Sequence, residues 1–180
     1  MNTFQRKLAM EELHRLEPEE FKKAEKNSVI ILLDNVRSLH NVGSAFRTAD
    51  AFRIEKILLC GITGTPPNRE IHKTALGATE SVSWEHHQNS SEAAEALKKD
   101  GWKLIVLEQT SGSIHLQKFI PEKKGKYCFV FGNEVSGVEN DLIKISDTIV
   151  EIPQFGTKHS LNISVSIGIV LWDYFIKTAT

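Results

Sequence analysis

The stretch FVFGNEVSG, Phe129 to Gly137, and the stretch TIVEIPQFGTKHSLNIS, Thr148 to Ser164, decide how this chain is read. Each opens as a short apolar run and closes in Gly, Pro and small polar residues. A strand ending in such a cluster leaves backbone N–H and C=O groups uncovered at the carboxyl edge of a sheet, where open α/β sheets bind small ligands. The same loops carry Glu134, Ser160 and Asn162, side chains able to orient a hydroxyl. The expectation is an enzyme with a cofactor slot built largely from backbone.

Outward from these stretches, strand and helix patterns alternate from Ser28 onward. VIILLD, KILLCG, SVSWEHH, KLIVLEQ, YCFVFG and TIVEIP read as strands. Helical candidates run around Val42 to Phe52, Arg69 to Leu76, Ser91 to Lys99 and Glu139 to Ile145. Several strands are apolar at consecutive positions, as expected when helices cover both faces of a parallel sheet. The class is α/β, with a mostly parallel sheet. Residues 1–27 read as a helical extension, one helix or a pair over Thr3 to Lys26 with Pro18 breaking the pattern or opening the second helix. Residues 28–180 read as the main domain.

The segment from Asn162 to Thr178 reads as a long helix that is apolar around most of its circumference. Such a helix has to be buried on most faces. One small sheet covers one of them. A subunit interface is the natural second partner, against a deeply buried terminal helix in a monomer.

A chain of 180 residues fits one domain with a sizeable core. Its 22 Lys+Arg and 23 Asp+Glu nearly cancel, so no global field attracts nucleic acid and a local basic patch would have to do so. Cys60 and Cys128 each sit inside an apolar run and read as buried strand residues rather than a disulfide or metal pair. The N-terminus lacks the apolar stretch of a signal peptide, and no apolar run approaches the ~20 residues needed to cross a bilayer. A cytoplasmic protein is expected.

A third motif, NVGSAFRTA from Asn41 to Ala49, follows the first strand. Gly43, Ser44 and Ala45 keep the start of a helix thin, for close packing on the sheet or approach to a phosphate. Asn41 is a candidate cap, with Arg47 one to two turns in, near the same end. An ordinary capped helix with a surface arginine is the plain alternative. Glu134, and Ser160 or Asn162, also have plain readings as helix caps, but three such motifs at one sheet edge argue for a site. P-loop and dinucleotide fingerprints are absent from the sequence. Adjacent His86 and His87 would point to opposite faces of a strand, and His72, His115 and His159 lack ligand spacing with any cysteine, so no metal is expected.

With these residues set out, the chain resembles the SPOUT superfamily, specifically the TrmH-type RNA ribose 2′-O-methyltransferases. The likeness covers about residues 28 to 180. It rests on Asn41, Gly43 and Arg47; on Gly132-Asn133-Glu134 with Gly137; and on Ile152-Pro153 followed by Ser160-Leu161-Asn162. Val135 stands where a glycine is frequent in the family, and Gln154 where methionine is frequent.

The resemblance implies a C-terminal deep trefoil knot, an exception to un-knotted topology. It implies S-adenosylmethionine as cofactor and a homodimer whose interface includes the C-terminal helix. The substrate would be the ribose 2′-hydroxyl of RNA, with a tRNA as the first expectation and rRNA as the alternative. Catalysis would fall to Arg47, with Asn41, Glu134, Ser160 and Asn162. The cofactor would be held by Leu107, Thr110, Phe131, Gly132, Glu134, Ile152, Pro153, Ser160 and Leu161. RNA would be gripped by Arg37, His40, Arg47, Arg53 and Lys73. Two other classes remain open at this point: a knotted RNA-binding module without catalysis, and a different α/β enzyme with a nucleotide cofactor.

Overall fold

A computed structural model of the protein describes residues 6–179. Seven strands, β1 (Asn27–Asp34), β2 (Ile54–Cys60), β3 (Ser83–His87), β4 (Lys103–Leu107), β5 (Ile114–His115), β6 (Tyr127–Phe131) and β7 (Thr148–Glu151), form one sheet in the order β3-β2-β1-β6-β4-β7-β5. Every pairing within it is parallel. Six strands fall within two residues of their expected bounds. Two-residue β5, exposed and without an apolar run, gave the sequence no strand signal.

Successive strand side chains face opposite sides, and both sides are apolar. Val29, Ile31 and Leu33 of β1 join one core cluster with Phe46 of α2 (Leu39–Ala51), Ile71 of α3 (Arg69–Ala75) and Ile167 and Val170 of α7 (Ile163–Thr178). Ile30 and Leu32 join the other, with Ala94 and Leu97 of α5 (Ser90–Lys99) and Leu142 of α6 (Asn140–Ile145). Helices therefore cover both faces. A short helix over Ala78–Ser81 follows α3 and was not foreseen.

Chain order and sheet order part company at β6. It enters between β1 and β4, both earlier in the chain, and β7 then pairs with the far side of β4. The carboxyl ends of β6, β4 and β7 thus lie side by side.

Of the one helix or helix pair expected over Thr3 to Lys26, residues 3–5 lie outside the described residues, and the rest forms two short pieces. One 3-10 turn spans Met10–Leu13, and Pro18 opens helix α1 (Pro18–Lys23), where its missing N–H costs no hydrogen bond. Phe21 is 4% exposed and belongs to the main core, which ties α1 to the domain. Among the described residues, no helix is long and apolar enough to cross a membrane.

Helix α7 divides its apolar residues. Ile163, Ile167, Val170, Leu171 and Tyr174 are buried, whereas Val165, Ile169, Trp172, Phe175 and Ile176 are 37–55% exposed. Positions 165, 169, 172 and 176 form one stripe at helical spacing.

Candidate active site at the carboxyl edge

A pocket of about 620 Å³ opens where β4, β6 and β7 end. Eight residues expected at the site line it: Leu107, Phe131, Gly132, Glu134, Ile152, Ser160, Leu161 and Asn162. Thr110 and Pro153, expected to hold the cofactor, are not among the lining residues. Thr110 instead closes a turn, its hydroxyl accepting from Gly112 N–H at 3.3 Å and its carbonyl from Ser113 N–H at 3.3 Å.

Glu134 joins the second motif to the first. Its carboxylate accepts from the backbone N–H groups of Arg37 and Ser38, each at 3.0 Å, and from Asn41 Nδ2 at 3.1 Å. Partial burial works against the charge. The N–H groups of Arg37, Glu134 itself and Ser38, with the Asn41 amide, outweigh it and hold the carboxyl below its usual value. Glu134 does not cap a helix.

Asn41, the cap candidate from sequence, does not cap α2; Ser38 does, its Oγ accepting from Asn41 N–H at 3.2 Å. The helix begins three residues earlier than the apolar pattern suggested, which places Asn41 inside its first turn with its amide free for Glu134. Gly43 meets neither sheet nor open solvent. A Cβ there would strike Thr74 Oγ1 and the carbonyl of Ile71, so its smallness serves the packing of α2 on α3.

Gly132 lines the pocket as expected, and its lack of a side chain also serves the turn that follows β6. A side chain at this position would run into the backbone of Gly137 and Val138 rather than fill the slot. Its absence lets the second motif fold back on itself, closed by paired backbone hydrogen bonds between Asn133 and Gly137 at 2.9 and 3.0 Å. Asn133 then anchors the turn, its Oδ1 accepting from Val135 N–H at 2.8 Å and its Nδ2 donating to the Asn35 carbonyl at 2.7 Å. Asn162 is the cap of α7, accepting from Ser164 N–H at 2.8 Å while its side chain still lines the pocket.

Arg47 is not brought to this pocket. It is exposed and lines a second cleft of about 310 Å³, with Leu16, Pro18 and Phe21 of the N-terminal segment, Asp50, and the turn around Gly77. Arg47 follows Asn41 by six positions, which at 3.6 residues per turn sets them about 120° apart around the axis, so they leave α2 in different directions. None of the five basic candidates lines the pocket. His40 and Lys73 both pair with Glu70, at 3.0 and 2.7 Å. Arg37 offers its backbone to Glu134. Arg53, expected near the first motif, stands just before β2 at the amino edge of the sheet, because the 13-residue α2 carries the chain back across it.

Glu108 and Gln109 are pocket residues that sequence reasoning passed over. Glu108 accepts from Val138 N–H at 3.1 Å, and Gln109 Nε2 donates to the His159 carbonyl at 2.9 Å. The pair directly after β4 therefore fastens the loops that follow β6 and β7. A carboxylate closing the apolar run KLIVL was the available signal.

The model of the SpoU rRNA Methylase family matches residues 28–172. The chain belongs to this family. Among curated members, it is 31% identical over 143 residues to the 23S rRNA (guanosine-2′-O-)-methyltransferase RlmB of Neisseria meningitidis, covering 79% of this chain and 56% of that one. It is 32% identical over 155 residues to an uncharacterized tRNA/rRNA methyltransferase of Borreliella burgdorferi, covering 86% and 66%. The SpoU chain described here thus spans only about half to two thirds of these relatives' lengths. Among solved structures, the A. aeolicus TrmH/SpoU tRNA modifying enzyme superposes with a TM-score of 0.79 at 25% identity, over 90% of this chain and 80% of that one. The SpoU methyltransferase AviRb of Streptomyces viridochromogenes, in complex with AdoMet, gives 0.77 at 21% identity over 88% and 63%. At that identity the likeness speaks for the fold.

Proposed function

We propose that this chain methylates a ribose 2′-hydroxyl of tRNA or rRNA, with S-adenosylmethionine as donor. In this reading residues 28–180 form the methyltransferase domain, with a C-terminal trefoil knot, and residues 1–27 are an extension to it. It places the chain in the cytoplasm as a homodimer. The observation that carries the reading is the pocket of about 620 Å³ between the loops that follow β4, β6 and β7 at the carboxyl edge, the last two of which carry family motifs. Its size suits a nucleoside-sized ligand. The residues present fit the cofactor: Leu107, Phe131, Ile152 and Leu161 supply apolar walls, and the strand ends supply backbone donors and acceptors. The bound cofactor supplies the methyl group on a sulfonium, a good leaving group already.

What is left to the protein is placement of the attacking oxygen and removal of its proton. Ser160 lines the pocket and its Oγ makes no hydrogen bond within the described residues, so it can orient a ribose hydroxyl. Glu134 is committed to the loop of Arg37 and Ser38 and serves first to hold that loop. The guanidinium of Arg47 acts on an RNA phosphate, which draws electron density from the neighbouring hydroxyl. Because Arg47 lies outside the pocket of its own chain, two chains joined through the exposed stripe of α7 would let Arg47 of the partner subunit face it.

The test is incubation of the purified protein with radiolabelled S-adenosylmethionine and bulk tRNA or bulk rRNA, followed by mass spectrometry of the nucleosides. A 2′-O-methylated nucleoside from one RNA pool is the expected product. Arg47→Ala should lower its formation roughly 100-fold, the scale of a lost transition-state contact, with cofactor affinity unchanged. Base methylation, or no transfer to either pool, would refute the reading.

A further inference from the structure

We propose that Glu108 makes the pocket prefer the positively charged methyl donor over its neutral demethylated product. The inference rests on the cofactor assignment above. Transfer of the methyl group turns a sulfonium into an uncharged thioether and leaves the rest of the cofactor unaltered. A pocket that senses charge at that atom distinguishes the two forms.

The lining residues include three carboxylates, Glu108, Glu134 and Glu151, and no lysine or arginine. Two of them have other tasks. Glu134 anchors the Arg37–Ser38 loop, and Glu151 is engaged by Ser113 Oγ at 3.0 Å and His115 Nε2 at 3.1 Å. Among the described residues, Glu108 meets only neutral backbone donors, Gln109 N–H at 2.8 Å on one oxygen and Val138 N–H at 3.1 Å on the other. Those bonds fix the carboxylate without a counter-charge.

The glycine at 137 makes this position possible. With φ at +72°, it adopts a backbone conformation that L side chains rarely take, and a Cβ there would strike the Glu108 carboxylate. Glu108 is half-buried, so its field is screened less than that of a surface carboxylate.

Isothermal titration of the intact protein with S-adenosylmethionine and with S-adenosylhomocysteine tests this directly. The wild type should bind the donor more tightly than the product, and added KCl should weaken the donor alone. Glu108→Gln should weaken the donor roughly tenfold, on the scale of one partly screened charge, and the product less than about twofold. Glu108→Asp keeps the charge and should keep the preference. Glu122→Gln, at the Lys103 pair on the opposite sheet edge, should change neither constant. Equal weakening of both ligands by Glu108→Gln would assign the residue a structural role only and overturn the proposal. So would a wild type that binds both ligands equally at every salt concentration, a result that needs no variant to fold. Failure of the wild type to bind either ligand would instead sink the cofactor assignment, and this inference with it.

Discussion

Glu134 Oε1 stands 3.1 Å from Asn41 Nδ2, although 93 positions separate them in the chain. The bond closes the gap between the loop after β1 and the loop after β6, and the Arg37 and Ser38 N–H groups complete the junction. The only acceptor shared by these three donors is one carboxylate. Its removal should therefore loosen a motif that does not itself touch the pocket.

Glu134→Gln should destabilise the protein by about 1 kcal/mol, since an amide cannot accept from all three donors at once. The carboxyl is held below its usual value in the folded state, so its contribution is fully present above the ordinary glutamate value of ~4.3 and is lost as pH falls through the lower folded value. Urea denaturation from pH 6 downward should show wild-type stability falling in that acid window, with a shallower fall in Glu134→Gln. Identical pH profiles would show that the junction contributes nothing.

Gly132→Ala should be far more damaging than its size suggests. The added methyl meets backbone atoms of Gly137 and Val138, which cannot move without opening the turn. Loss of several kcal/mol is the scale of an overpacked interior, about 1–3 kcal/mol or more. Thermal melting should show it, together with weaker titration by S-adenosylhomocysteine. A variant as stable as wild type would mean that the turn tolerates displacement.

Both cysteines should be silent in the native protein. Cys60 and Cys128 have no exposed surface, and burial, with Asp34 nearby, pushes the Cys60 thiol up to about 12. Burial raises Cys128 as well. Thiolate is the reactive form, so an aromatic disulfide reagent at pH 8 should register two thiols only after unfolding. Rapid modification of the folded protein would contradict their placement in the core.

The stripe on α7 should respond to charge. Trp172 is 55% exposed and stacks on Phe175 with ring centroids 6.1 Å apart, an apolar surface facing outward. Trp172→Glu should leave the monomer folded, because the residue is outside the core, while sedimentation at micromolar concentration shifts from twice the chain mass to once. Methyl transfer should fall in parallel. A wild-type protein that sediments as a fully active monomer would remove the dimer from the proposed function.

The sequence alone determined the parts. Apolar runs at consecutive positions predicted buried parallel strands, helical spacing predicted the helices between them, and Gly- and Pro-rich strand ends predicted a site at the carboxyl edge. These are local properties, set by the period of burial and by backbone freedom within a few residues. Where one element ends up beside another is different. That β6 lies between β1 and β4, that Glu134 holds Asn41, that Glu108 holds Val138, and that Arg47 lines a cleft with Leu16 and Phe21 all depend on contacts between residues far apart in the chain. No periodicity records such a contact, because it arises only when closing the long loop between its partners is offset by the packing of the whole sheet. The chemistry of each side chain was legible from the start; its neighbours were decided by the tertiary structure.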